Sequence, residues 1–409
     1  MTTTWIEIPG TTDGPAMGAY LSLPPNGRGP GIVLCQEIFG VTATLRAVAD
    51  NLAQEGYVVL VPDFFWRLQP RIELSYSKED LALAMEFSQR LDQQLVLEDM
   101  RDTVEAFKQH PAILGQIGTV GFCLGGRVAV LAAAAGLVSC AVAYYPVALE
   151  KHLDKLATIK VPVVIHFGAD DPLTPPGTVN AVVAALASNT DASVHVYPGV
   201  KHGFAAKERP AYCAPSAGMA YSRSLVVLRA VLGPWYDLNA LWEAHRACEF
   251  VSRDAVATMA TMVSQPYVNH VPTMTGGYGQ TDLNRFYRDH FIPRNPADMR
   301  TIPISRTIGA DRVVNEGILC FTHDTEIPWM LPGIAPTGHY VEIALVGIIT
   351  FRGDKLYHEH IYWDQASVLV QIGLLDPSAL PVVGHEQAQK VLDPSRPSNE
   401  LMPQWKRGA

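Results

Sequence analysis

The chain has 409 residues, 48% of them hydrophobic and 17% charged, a balance that excludes a disordered, collagenous or low-complexity polypeptide and is enough for two buried cores. Thirty-one Lys and Arg against 40 Asp and Glu give a net charge of −9, which leaves no electrostatic footprint for nucleic acid or an anionic membrane. A small-molecule substrate is the expected partner.

In chain order, short apolar β-branched runs at 31–34, 57–61, 118–121, 141–145, 163–167 and 194–197 alternate with helical stretches at 44–54, 98–109, 125–135 and 178–187. Strands buried on both faces read as continuous apolar runs, so the pattern predicts repeated βα units around a mostly parallel sheet with helices on both faces. The charge-free run 128–149 has the length of a membrane span, but Gly136 and Ser139 divide it into a buried helix and a buried strand. Leu232-Gly233-Pro234 ends the alternation. Beyond it come helical patterns at 238–262 and 282–290, then strand-like runs at 311–321, 339–351 and 355–362, the last two joined through Arg352-Gly353-Asp354. The expected organisation is an α/β domain over 1–232, an α+β domain over 235–376 and a proline-rich surface tail over 377–409. Cysteines at 35, 123, 140, 213, 248 and 320 form no CxxC pair. They read as reduced thiols and, with no secretory pattern at the start, as marks of a cytoplasmic protein.

The sharpest chemical signal is Gly121-Phe122-Cys123-Leu124-Gly125-Gly126 between a strand and an Ala-rich helix. A nucleophile on so tight a strand-to-helix turn needs small residues two positions to either side, and Gly121 and Gly125 stand there. At a helix start, backbone N–H groups and the helix dipole favour the thiolate. A triad in this setting runs nucleophile, acid, histidine. Asp171 follows the 163–167 strand and His202 follows the 194–197 strand, both at strand ends where such sites form; Asp170 is the alternative acid. His166 and His195 read as core residues within strands.

With Gln36-Glu37-Ile38-Phe39-Gly40, Val61-Pro62-Asp63 and His202-Gly203-Phe204, residues 5–232 resemble the dienelactone hydrolases, also called carboxymethylenebutenolidases, which are α/β hydrolases. The resemblance implies a thiol hydrolase of lactones or activated esters needing no cofactor. In it Cys123 attacks the carbonyl, His202 carries protons and Asp171 holds the imidazole tautomer. The Ile38 and Leu124 N–H groups form the oxyanion hole, and Glu37 pairs with the resting thiol and takes its proton. One departure is Ala206, in the slot where the dienelactone-opening member of the family carries an arginine for the substrate carboxylate; Lys207, Arg209, Arg67 and Arg71 are nearby candidates for that task.

In the second half, His358, His360, Tyr362 and Asp364 fall on one face of a strand by period two. A polar pocket is the preferred reading over a metal site, because no further ligand of matching spacing is visible. Pro266-Tyr267-Val268-Asn269-His270, Thr337-Gly338-His339-Tyr340-Val341-Glu342 and His360-Ile361-Tyr362-Trp363-Asp364-Gln365 resemble the SnoaL-like branch of the nuclear transport factor 2 and ketosteroid isomerase superfamily. That resemblance implies a cone-shaped domain with a pocket containing His270, His360 and Asp364, often a homodimer, with Asp364 in the place of an acid/base. The alternative function is accordingly isomerase or cyclase chemistry, or small-ligand binding, in this domain.

Overall fold

A computed structural model describes residues 2–9 and 16–405; residues 406–409 of the expected tail lie outside them. The chain divides after Trp235 into two compact units.

The first unit contains strands β1 (Thr2–Ile8), β2 (Met17–Leu23), β3 (Gly29–Cys35), β4 (Val58–Pro62), β5 (Ile113–Phe122), β6 (Ala141–Tyr144), β7 (Val163–Gly168) and β8 (Ala192–Tyr197). They form one sheet in the order β1-β2-β4-β3-β5-β6-β7-β8. From β4 to β8 all pairings are parallel, and β1 and β2 add an antiparallel edge. The apolar runs of β3 and β4 are buried on both faces, as Ile32, Val33, Val58 and Val59 show. Helices α1 (Ala43–Gln54), α2 (Lys78–Arg90), α3 (Gln93–Lys108), α4 (Leu124–Ala134), α5 (Leu153–Leu156), α6 (Pro176–Leu186) and α7 (Ala214–Leu232) complete the unit. Consecutive residues of β5 show that both faces are covered. Beside Ile117 lies Phe107 of α3, while the space above Gly118 is closed by Leu232 of α7. Thr42 and Asp92 cap α1 and α3 with their side-chain oxygens, each cap contributing about 1 kcal/mol. The charge-free run 128–149 splits between α4 and β6, and no helix among the described residues is long and apolar enough to cross a membrane.

In the second unit the expected helix 238–262 is broken. Helix α8 (Leu238–Phe250) stops at a turn in which Arg253 has φ 53°, Asp254 caps α9 (Ala255–Ala260), and β9 (Met262–His270) follows. Strands β10 (Thr275–Tyr278), β11 (Arg300–Ile308), β12 (Arg312–Thr322), β13 (Tyr340–Arg352) and β14 (Lys355–Trp363) join β9 in the order β10-β9-β14-β13-β12-β11. All pairings are antiparallel except β14 with β9. Helix α10 (Gly279–Arg285) runs into a π-helical turn, and α11 (Gln365–Gln371) follows β14.

The expected surface tail is in part structural. Helix α12 (Glu386–Leu392) buries Ala388 against Ile318 and Cys320, and Gln387 both accepts from Ala344 N (3.1 Å) and donates to the Glu342 carbonyl (3.0 Å). A short helix fits between the prolines because Pro381 and Pro394 lie outside it.

Candidate active site

Five parallel strands each deliver one side chain from their C-terminal ends to the same edge of the first sheet: Glu37 after β3, Cys123 after β5, Tyr145 after β6, Asp171 after β7 and His202 after β8. Open α/β sheets place their sites at this edge because loops there can converge without breaking the ladder.

Cys123 stands between β5 and α4 with φ 55° and ψ −114°, a conformation rare for a residue with a Cβ. The flanking glycines make the turn possible. A Cβ on Gly121 would lie 2.0 Å from the Gly125 carbonyl oxygen, and one on Gly125 would lie 2.2 Å from the Cys35 carbonyl oxygen. The turn is held by the Cys123 N–H, which donates to the Tyr144 carbonyl at 2.9 Å. Cys123 is buried and in no disulfide, at the head of α4. The Leu124 and Ile38 N–H groups donate to no acceptor among the described residues.

His202 Nδ1 is 2.7 Å from Asp171 Oδ2, and Asp171 Oδ1 accepts from Leu173 N at 2.8 Å. Asp171 is buried, whereas Asp170 is exposed. Burial raises the Asp171 carboxyl, but the His202 hydrogen bond and charge outweigh it and hold the pKa below the ordinary value. Burial lowers the imidazole; Asp171 and the Cys123 sulfur more than compensate and raise it to about 10. Nε2 is buried and, apart from the Cys123 sulfur, has no partner. The rings of Tyr145 and His202 meet edge to face at 4.9 Å.

Glu37 is not paired with the thiol in this structure. Its carboxylate accepts from Arg209 Nη1 at 3.1 Å and from the Tyr76 hydroxyl at 3.3 Å. A guanidinium offers a carboxylate a charge-assisted hydrogen bond that a neutral thiol cannot match. Of the cations near Ala206, Arg209 is the one that reaches Glu37. Two successive turns, Ala206 N to the Gly203 carbonyl and Arg209 N to the Ala206 carbonyl (3.0 Å each), bring the guanidinium back over Gly203. A Cβ there would lie 2.6 Å from Nη1, and Gly203 has φ +83°. Of the other cations, Arg67 is paired with Asp99, Arg71 stacks on Trp5 at 3.6 Å, and Lys207 is exposed. Tyr145 was not singled out by its sequence context. It is fully buried, its hydroxyl has no hydrogen-bond partner, and burial followed by the charges of Glu37 and Cys123 raises its pKa, against the opposing effect of Arg209.

In the second unit His270 lines a cavity whose wall does not include the other two expected pocket residues, His360 and Asp364. Asp364 is exposed and serves as the N-cap of α11, accepting from Ala366 N (3.0 Å) and the Ser367 hydroxyl (2.6 Å). His360 belongs to the opposite face of β14, against Tyr267 at 5.5 Å. The inward row is Glu359, Ile361 and Trp363, which a register shift between Leu356 and His358 puts in phase with the buried Leu356. No group of three or more His, Cys, Asp or Glu side chains among the described residues is arranged to hold a metal ion.

The fold and the edge site are those of an α/β hydrolase. Residues 17–232 match the model of the dienelactone hydrolase family, and the chain belongs to that family. It is 34% identical over 214 residues to the carboxymethylenebutenolidase of Pseudomonas putida, an alignment covering 52% of this chain and 91% of the relative. Carboxymethylenebutenolidase 1 of Cupriavidus pinatubonensis is 32% identical over 234 residues, with 56% and 97% covered. A solved chain from Klebsiella pneumoniae, a candidate dienelactone hydrolase, superposes with a TM-score of 0.50 at 29% identity, covering 55% of this chain and 97% of its own. The protein is a lactone or ester hydrolase.

Proposed function

We propose that the hydrolysis proceeds by thiol catalysis at Cys123, with His202 and Asp171 completing a triad. The observation that carries this reading is the pairing of a strained cysteine at a helix head with an imidazole whose Nδ1 is fixed by Asp171 at 2.7 Å and whose other interaction is with the Cys123 sulfur. In the proposed cycle the sulfur, its proton removed, bonds to the substrate carbonyl carbon, and the Ile38 and Leu124 N–H groups receive the charge that develops on oxygen. Collapse breaks the C–O bond, and His202 protonates the departing oxygen. A water deprotonated by His202 then cleaves the thioester and returns the thiol.

Arg209 is the place for a carboxylate on the substrate, and such a group reaches it by displacing Glu37. The freed Glu37 is then a base for the Cys123 thiol, so the charge of the substrate helps to switch on the nucleophile. Neutral esters lack that trigger. Stoichiometric iodoacetamide is expected to label Cys123 alone and to abolish turnover, and Cys123→Ala to cost at least about a thousandfold in kcat/KM. Turnover retained in Cys123→Ala would sink the assignment.

A further inference from the structure

The second unit contains a cavity lined by Trp242, Tyr287, Phe291 and Trp329 and, at one side, by Glu249 and Glu359. It holds about 80 Å³ of space open to water-sized molecules, several times the roughly 10–15 Å³ that a single water needs on this measure. Behind the carboxylates lies His245, which is fully buried.

The proton positions in this cluster follow from its hydrogen bonds. The Thr261 hydroxyl donates to the Thr258 carbonyl at 2.6 Å, so at 2.6 Å from His245 Nδ1 it accepts, and Nδ1 carries a proton. Nε2 faces Glu359 Oε1 at 3.1 Å and Glu249 Oε1 at 3.3 Å, with neither in hydrogen-bonding alignment. Burial lowers the imidazole, but the two carboxylates raise it to about 10, so it is cationic at neutral pH. One positive charge thus stands against two acids. Burial and the charge of Glu249 raise the Glu359 carboxyl, against the opposing effect of His245; an anion penalised in this way is stabilised by any further cation.

Three buried polar atoms on the wall lack an aligned hydrogen bond: Trp242 Nε1, the Tyr287 hydroxyl, which faces Glu249, and Glu359 Oε1, which can only accept while ionised and has lone-pair capacity beyond its contact with His245. The remaining charged or titratable groups facing the cavity do not supply the missing donor. Arg246 is engaged by Glu243 at 3.3 Å. His270 is pulled by burial down to about 4 and is neutral, its Nδ1 turned to the Thr275 carbonyl.

We propose that this cavity is a second ligand site that binds a small aromatic amine in its protonated form, the ammonium on Glu359 Oε1 and the ring against the walls formed by Trp242, Tyr287, Phe291 and Trp329. Aromatic faces attract a desolvated cation by about 2 kcal/mol or more, and a largely apolar wall with one convergent polar group is the usual build of a small-molecule pocket. The site shares no residue with the candidate hydrolase site.

Calorimetric titration of the full chain with benzylamine, benzyl alcohol and benzoate tests it, because the three share a ring and differ in the charge of the head group. Benzylamine is expected to bind one to one and at least about tenfold more tightly than benzyl alcohol, with benzoate the weakest. Glu359→Gln should remove that tenfold preference while benzyl alcohol affinity changes by no more than about twofold. Should Glu359→Gln fail to fold, Gly347→Leu fills the cavity where the nearest atom to a new Cβ is the flexible Ile349 Cδ1 at 3.2 Å, and it should abolish benzylamine binding. No binding of benzylamine to the natural chain, benzoate bound as tightly as the amine, or amine binding unmoved by the variant that folds would each overturn the proposal.

Discussion

In the first unit His202 commits one ring nitrogen to Asp171 and keeps the other clear beside Cys123; in the second, His245 gives Nδ1 to Thr261 and turns Nε2 to two carboxylates. The same side chain, raised to about 10 in both places, is placed for the proposed proton transfer in one and for holding charge in the other. What decides is the third partner. A sulfur can leave the imidazole to form a bond with a substrate, whereas a pair of carboxylates keeps it permanently compensated.

The largest expected effect attacks the orienting partner in the first unit. Asp171→Asn should lower kcat by about 10³–10⁴, since an amide favours the wrong imidazole tautomer, while Asp170→Asn, at an exposed carboxylate, should stay within about twofold. Equal losses in the two variants would dissolve the contrast between an oriented and a compensated histidine. Next comes the frame. Gly125→Ala places a Cβ 2.2 Å from the Cys35 carbonyl oxygen and 2.5 Å from that of Gln36, backbone atoms that cannot rotate aside. A loss of about 3 kcal/mol is expected in denaturant unfolding. The cavity wall at Gly347 has no such backbone obstacle, and its tolerance of a side chain is the counterpart in the second unit.

A smaller effect, on selectivity, is expected at Arg209. Arg209→Met should cost carboxylate-bearing lactones about 10–100-fold in kcat/KM relative to neutral esters, the worth of a charge-assisted contact of about 1.5–3 kcal/mol. An unchanged ratio would place the anion elsewhere. Ala206 in the expected slot leaves the cation unassigned in sequence, and the paired turns from Gly203 to Arg209 are what carry the guanidinium to Glu37.

The difference in legibility between the halves has a physical origin. Parallel strands buried on both faces show as continuous apolar runs, and each chemical residue of the first site follows such a run directly, so Cys123, Asp171 and His202 could be placed without a structure. The position of Arg209 could not, because it depends on how a loop turns. Antiparallel strands with one inward face carry only half the signal. In β9 the exposed Ser264 and Gln265 interrupt the alternation and in β11 Pro303 does, so neither strand shows a clean period of two. On β14 the choice of face decides everything: the histidine row is the more conspicuous in sequence, yet Glu359, Ile361 and Trp363 carry the apolar company that marks the inside. At Asp364, Ser367 three residues on and the helical pattern after it signal an N-cap.

The smallest effect distinguishes the two histidines by pH. His245 has a folded-state pKa of about 10 against about 6.5 for an unfolded imidazole. A raised pKa in a base means that the folded state holds the proton more tightly, so its contribution to stability is complete below about pH 6.5 and is lost as pH rises through 10. Replacing the imidazole removes that dependence. His245→Gln should therefore lower the melting temperature by a few degrees at pH 6, at about 2–4 °C per kcal/mol for a unit of this size, and the gap between the natural chain and the variant should close toward pH 10. The raised carboxyl of Glu359 acts in the same direction, since a folded state that favours the protonated acid also loses stability as pH rises. Calorimetric scans of both proteins across that range give the difference curve directly. A gap that stayed constant with pH would mean that His245 contributes through packing against Trp242 and Tyr287 alone, and that the two carboxylates do not hold its proton.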